Sequence, residues 1–279
     1  MKTGLVLEGG AMRGMFTVGV LDVFIKEDIK VDGIVGVSAG AIFGVNYPSK
    51  QAGRVIAYNM EFLDDPRYMG MRSLVTTGDL INKDFAYYTV PFDYYPFDNE
   101  TYHNSGMPFY ACVTNMLTGE AEYYRVEDIE QGMEILRASA SMPFVTKPVV
   151  IDGIPYLDGG VADSIPYNYM FESGYDKLVV ILTRDKGYEK SPMPPAPVKF
   201  YYRKYPKFAE RLIHRHEEYN EAVKELANLE KEGKVFIIRP DAPLGIRRTE
   251  RDKEKMQMVY NRGIAQCEKE LDALKEFLK

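Results

Sequence analysis

At 279 residues, with 46% hydrophobic and 27% charged residues, the chain can bury a full core and reads as an ordinary globular protein of one large domain or two small ones. Its formal net charge of -6 leaves no global basic excess to neutralise phosphates, which argues against a nucleic-acid binder and leaves only a local basic patch open. Two cysteines, Cys112 and Cys267, make neither a metal-ligand spacing nor a disulfide framework, so no metal or cofactor is expected and a reducing compartment is.

The opening "MKTGLVLEGGAMRG" has one lysine and an apolar run too short for a signal-peptide core, and no run approaches the roughly 20 residues of a membrane span. A cytoplasmic chain is expected, with peripheral contact at the inner membrane surface left open. "TGLVLEGG" ends a β-branched, leucine-rich run in glycines, and "MFTVGVLDVFIKED" then carries apolar residues at helical spacing. "VDGIVGVSAG" and "AIFGV" repeat the pattern, giving the β-α-β-α opening of a parallel sheet, whose sites gather at the carboxyl ends of its strands. A helix follows around "AGRVIAYNMEFL", and residues 64–106 read as loops with short elements. "PFYACVTNMLTGEAEYYR" predicts two strands joined at Thr118-Gly119, "VEDIEQGMEILRASA" an amphipathic helix, and "KPVVIDGIPYLDGG" a strand pair about Asp152-Gly153. "DKLVVILTR" has the continuous apolar run of a buried parallel strand. The α/β core is thus expected over 1–190. Residues 191–279, from the proline-rich "SPMPPAP", predict a linker and two long helices flanking the strand "KVFIIRP", packed on the same domain.

Within this frame "GVSAG" puts Ser38 between Gly36 and Gly40 at a strand-to-helix junction. Such small neighbours let the chain turn sharply enough to expose a nucleophilic hydroxyl at a helix N-terminus. Taken alone, the same residues read equally well as a tight turn with a serine N-cap. "EGGAMRG" occupies a second such junction, where backbone N–H groups could hold a phosphate or the oxyanion of acyl transfer. Gly9, Gly10 and Gly14 fit no clean phosphate-binding fingerprint, so an oxyanion loop beside a serine is the better reading.

The base is the open question. His214 or His216 would complete a triad in the chain order Ser38, Asp158, His, but both lie in the charged helical stretch "AERLIHRHEEYNEAVKEL" and read as solvated. His103 sits in an expected loop. The alternative base is Asp158 in "YLDGGVADSIP", where Gly159 and Gly160 open the backbone around the carboxylate. A carboxylate is a weak base for a serine hydroxyl, so Asp158 would have to lie close to Ser38 in a partly desolvated site.

"LVLEGGAMRG", "GVSAG" and "YLDGG", in this order and with the connecting "VTNMLTGE" and "RASASMPFVTKPVVIDG", resemble the patatin-like phospholipases over about residues 3–185. The resemblance implies a three-layer α/β/α core, to which the helical stretches of residues 191–279 add a C-terminal extension. It implies Ser38 as nucleophile, Asp158 as proton acceptor without histidine or calcium, and the backbone N–H groups of Gly9, Gly10, Ala11, Met12 and Arg13 as the oxyanion hole. The implied substrate is a lipid ester of phospholipid or lysophospholipid type. Ala11 stands where many members have a third glycine, and Ser164 where many have asparagine. Alanine offers its N–H where φ is negative, so the hole is expected to survive.

The tyrosine-rich "FAYYTVPFDYYPFDNETYH" could cover an acyl groove or sit at a lipid interface, the preferred reading being a strand and loop on the core. "KFYYRKYPKFAERLIHR" could meet anionic membranes and is read instead as a solvated helix face. A triad esterase of the α/β-hydrolase kind and a non-catalytic lipid- or protein-binding scaffold remain as competitors. Oligomeric state is left open.

Overall fold

In the computed structural model, which describes residues 1–279, the leucine-rich opening run becomes strand β1 (Thr3–Leu7), followed by helix α1 (Gly14–Lys26), β2 (Gly33–Val37) and α2 (Ala39–Gly44). Helices α3 (Arg54–Phe62) and α4 (Met71–Thr77), a π-helix over Lys83–Tyr94 and α5 (Asn99–Asn104) come next. The chain continues through β3 (Phe109–Asn115), β4 (Ala121–Arg125), α6 (Ile129–Ser139), β5 (Val149–Ile151), β6 (Ile154–Asp158), α7 (Tyr167–Glu172) and β7 (Lys177–Ile181). It closes with α8 (Pro195–Tyr201), α9 (Pro206–Lys231), β8 (Val235–Ile238) and α10 (Lys253–Leu278). The tyrosine-rich segment departs from expectation: it packs on the core, but its first half is π-helical rather than strand and loop. No helix is long and apolar enough to cross a membrane.

All eight strands join one sheet, with β3, β2, β1, β7 and β8 parallel and β4, β5 and β6 antiparallel additions at one end. The period of two sorts side chains onto its faces. Leu5, Leu7, Ile34, Phe109 and Ile181 meet α1, α2, α3, α6 and α10 in the main core, while Val6, Val35, Val180 and Ile237 meet α7 and α9 in a smaller one. Central strands buried on both faces are therefore apolar beyond their first residues, Thr3 in β1 and Lys177 in β7. The hairpin joining β5 to β6 turns at Asp152 (φ 51) and Gly153 (φ 81), the two positive φ values of a tight primed turn.

One detail of register places the site. Along β3, β2 pairs as far as Val37 opposite Cys112, and β6, running the other way, begins its pairing at Asp158 opposite Val113. Because β4 occupies the far edge of β3 over the same residues, β2 and β6 lie end to end on the near edge. Residue 38 and residue 158 are delivered to that meeting point.

Helices α1 and α10 touch through their backbones. A Cβ on Gly19 would lie 2.2 Å from the Tyr260 carbonyl oxygen, and one on Gly263 only 2.1 Å from that of Phe16. Gly263→Ala must push the helices apart, and we expect it to cost about 3 kcal/mol. A fall in the urea midpoint at constant m-value checks this; an unmoved midpoint would contradict the close crossing.

Candidate active site

Ser38 leaves β2 with φ 55 and ψ -122, a conformation that costs a non-glycine residue about 1–3 kcal/mol and is held only by its surroundings. Its N–H donates to Ser139 Oγ at 2.9 Å, and its carbonyl accepts from the N–H groups of Ala41 and Ile42. Gly40 is what lets α2 start here, since a Cβ would lie 2.4 Å from the Leu7 carbonyl oxygen. Gly36 faces the same turn, with the Gly40 carbonyl 2.6 Å from where its Cβ would be.

The Ser38 hydroxyl donates to Asp158 Oδ2 at 2.8 Å. Asp158 is itself fixed: Oδ1 accepts the Gly160 N–H at 2.8 Å, its carbonyl accepts from Thr114 Oγ1, and its N–H donates to the Ser141 carbonyl. Gly159 fits against β3, where a Cβ would strike the Cys112 carbonyl at 2.1 Å. Ser38 and Asp158 are only 6% and 7% exposed, so little water separates or screens them. The Asp-Gly-Gly turn thus holds the Asp158 carboxylate against the Ser38 hydroxyl.

The loop after β1 lies directly against the serine, with a Cβ on Gly9 falling 2.8 Å from Ser38 Cβ. Of the five amides expected to point at an oxyanion, two are already bonded: Met12 donates to the Arg248 carbonyl and Arg13 to that of Gly10. Those of Gly9, Gly10 and Ala11 have no acceptor in the chain. The expected negative φ at Ala11 is not found. It is 49°, in the left-handed region, so this alanine is strained where glycine would be at ease. Gly14 begins α1, close-packed on Ala39.

No histidine lines the cavities at Ser38. His214 lies between Glu210 and Glu217, which hold its imidazolium above the ordinary histidine range, His216 bonds the Ile213 carbonyl, and His103 pairs with Asp128. The chain order Ser38, Asp158, His214 or His216 therefore corresponds to no triad in space.

Ser38 sits where two unlike cavities meet. One, of about 90 Å³, is walled by Met12, Ile42, Phe43, Tyr68, Tyr87 and Met142 and is mostly apolar. The other, of about 240 Å³, is mixed: apolar side chains such as Phe144, Val145 and Met193 line it together with Asp158, Glu8 and five arginines or lysines, Arg13, Arg184, Lys190, Arg215 and Arg248, the last of which borders both cavities. The sequence reading missed this cluster. Glu8, 4% exposed, accepts from Thr183 N, Thr183 Oγ1 and Tyr219 Oη, tying β1, the end of β7 and α9 together. Ser164, at the departure from the family pattern, accepts from Arg215 Nε at 3.3 Å. Burial, with Arg184 nearby, lowers the Arg13 pKa to about 10, and burial with Arg215 nearby pulls Lys190 down to about 6. Nowhere do three or more His, Cys, Asp or Glu side chains gather as a metal site would need.

Comparison with known proteins adds the family context. Residues 5–171 match the family model described as patatin-like phospholipase, and residues 205–279 match one described as "Domain of unknown function (DUF6363)". The chain is 33% identical over 193 residues to the uncharacterized protein YjjU of Escherichia coli, covering 65% of this chain and 52% of that protein. It is 28% identical over 190 residues to the lysophospholipase nte1 of Emericella nidulans, covering 64% of this chain and 12% of that protein. It thus spans about half of the bacterial relative and a small part of the fungal one. Among solved structures, VipD from Legionella pneumophila aligns over 98% of this chain and 67% of its own with a TM-score of 0.50 at 14% identity, a likeness of fold.

Proposed function

The chain belongs to the patatin-like phospholipase family, and from that premise we propose that it is a lipid acyl hydrolase working through a Ser38-Asp158 dyad. The observation that carries this reading is the 2.8 Å bond from Ser38 Oγ to Asp158 at the junction of an apolar and a polar cavity. Asp158 takes the hydroxyl proton as Ser38 Oγ bonds the ester carbonyl carbon. The free amides of Gly9, Gly10 and Ala11 stabilise the oxyanion. Collapse breaks the bond to the alcohol, which leaves with the proton from Asp158. Water then attacks the acyl-serine, giving a proton to Asp158, which returns it to Ser38 Oγ as the fatty acid departs.

The acyl chain takes the apolar cavity and the alcohol portion the polar one. Lysophospholipid-type esters are the substrates this division favours, in keeping with the named activity of the fungal relatives. We assign residues 1–190 to the catalytic core. Residues 191–279 belong to the same working unit, since Leu212, Arg215, Tyr219 and Arg248 line the polar cavity.

Incubation with a fluorophosphonate and peptide mapping tests the reading, alongside hydrolysis of short nitrophenyl esters. We expect turnover and a single adduct on Ser38. An adduct on another residue would overturn Ser38 as the nucleophile, and no turnover of any ester would leave the scaffold reading in its place.

A further inference from the structure

Cations crowded together and partly withdrawn from water are costly unless they find counter-charges; here Arg13 is buried, Arg184, Lys190 and Arg215 are half-buried, and Arg248 is exposed at the rim. In the polar cavity none of the five forms an ion pair within the chain, and both carboxylates there are otherwise engaged: Glu8 by Thr183 and Tyr219, Asp158 by Ser38 and Gly160. Arg13 is 8% exposed and its Nε is buried without an acceptor. Arg184 lies over the Tyr188 ring at 4.0 Å and Lys190 over the Tyr219 ring at 4.0 Å, so the rings hold the cations by their faces and leave N–H donors free. Arg215 spends only Nε, on Ser164. Burial first, and then the neighbouring Arg215, pull the Lys190 pKa down to about 6, so a bound anion would favour its protonated form.

Resting on the hydrolase reading, we propose that this cavity is a subsite for a phosphate dianion on the alcohol side of the ester, so that the enzyme selects acylglycerol phosphates over zwitterionic and neutral acylglycerols. Guanidinium groups match phosphate oxygens in geometry as well as charge. A choline head would bring its own cation into the cluster. The tyrosine faces that could cradle that cation are already covered by Arg184 and Lys190.

The test compares kcat/KM for lysophosphatidate, lysophosphatidylcholine and monoacylglycerol of one acyl chain, all below their micelle-forming concentrations. We expect lysophosphatidate to be preferred by about tenfold or more, the equivalent of one charge-assisted hydrogen bond. The double substitution Arg184→Gln and Lys190→Gln should cut that ratio by about tenfold through a raised KM, and Arg248→Gln, on an exposed loop, should lower it too. Glycerol phosphate should compete with monoacylglycerol. Equal turnover of the three lipids would overturn the inference and leave the hydrolase reading standing, while turnover of none would remove both. Equal turnover together with a response to inorganic phosphate would mark a site for a free anion and likewise overturn the proposal.

Discussion

Asp158→Asn is expected to lower kcat on a short ester by about 10²–10⁴-fold while KM changes little, and Ser38→Ala to reduce turnover to the uncatalysed background. The asparagine is nearly the same shape. Its carbonyl can still accept the Gly160 N–H that Asp158 Oδ1 now accepts at 2.8 Å, so the β6 turn need not move. What disappears is the basic oxygen 2.8 Å from Ser38 Oγ. The companion variant, His214→Ala with His216→Ala, should retain the parent kcat, because His214 is committed to Glu210 and Glu217 and His216 to the Ile213 carbonyl. Full activity in Asp158→Asn would defeat the dyad, and loss of activity in the histidine pair would restore a triad. Fluorophosphonate labelling separates the chemistry from folding: Asp158→Asn should label slowly at Ser38, and Ser38→Ala not at all.

The serine, its candidate partner and their loops were legible because each sits at a strand end where glycines interrupt an apolar run, a signal that survives without tertiary context. The parallel order of β1 and β2 followed from the same alternation. Less legible were features that exist only in three dimensions. The π-helix over Lys83–Tyr94 has no familiar sequence period, and its Pro91 argued for a loop. Arg215 was hidden in a charged helix, yet Phe208, Leu212, Tyr219 and Leu226 are buried along one face of α9, and Arg215 falls on that face at helical spacing. A charged residue inside an apolar stripe was the available signal. Treating the helix as solvated concealed it. Ser139 could not have been singled out, since its role is to meet an N–H that lies 101 positions away in the chain. Neither could the strain at Ala11, because residue type alone sets no φ.

Gly9→Ala and Ala11→Gly, two positions apart in one loop, are expected to act in opposite directions. The new methyl at position 9 would lie 2.8 Å from Ser38 Cβ and 3.0 Å from the Val37 carbonyl oxygen, both too close for carbon. The serine is already pinned through Ser139 and Asp158, so the loop is the part that yields. Moving it displaces the unbonded amides of Gly9, Gly10 and Ala11 together. One such donor is commonly worth 10²–10³ in kcat, so we expect a loss of about that size or greater. Ala11→Gly instead relieves a residue held at φ 49, and the relief exceeds the added freedom of the unfolded chain, so stability should rise by a few tenths to about 1 kcal/mol. Its kcat should be preserved because the N–H remains. The pair is read by kcat on a short ester and by urea unfolding of both variants. A fully active Gly9→Ala would mean that the amides beside Ser38 hold no oxyanion. The stabilising direction at position 11 separates the two effects, because a loop that served only packing would lose stability, not turnover, at position 9.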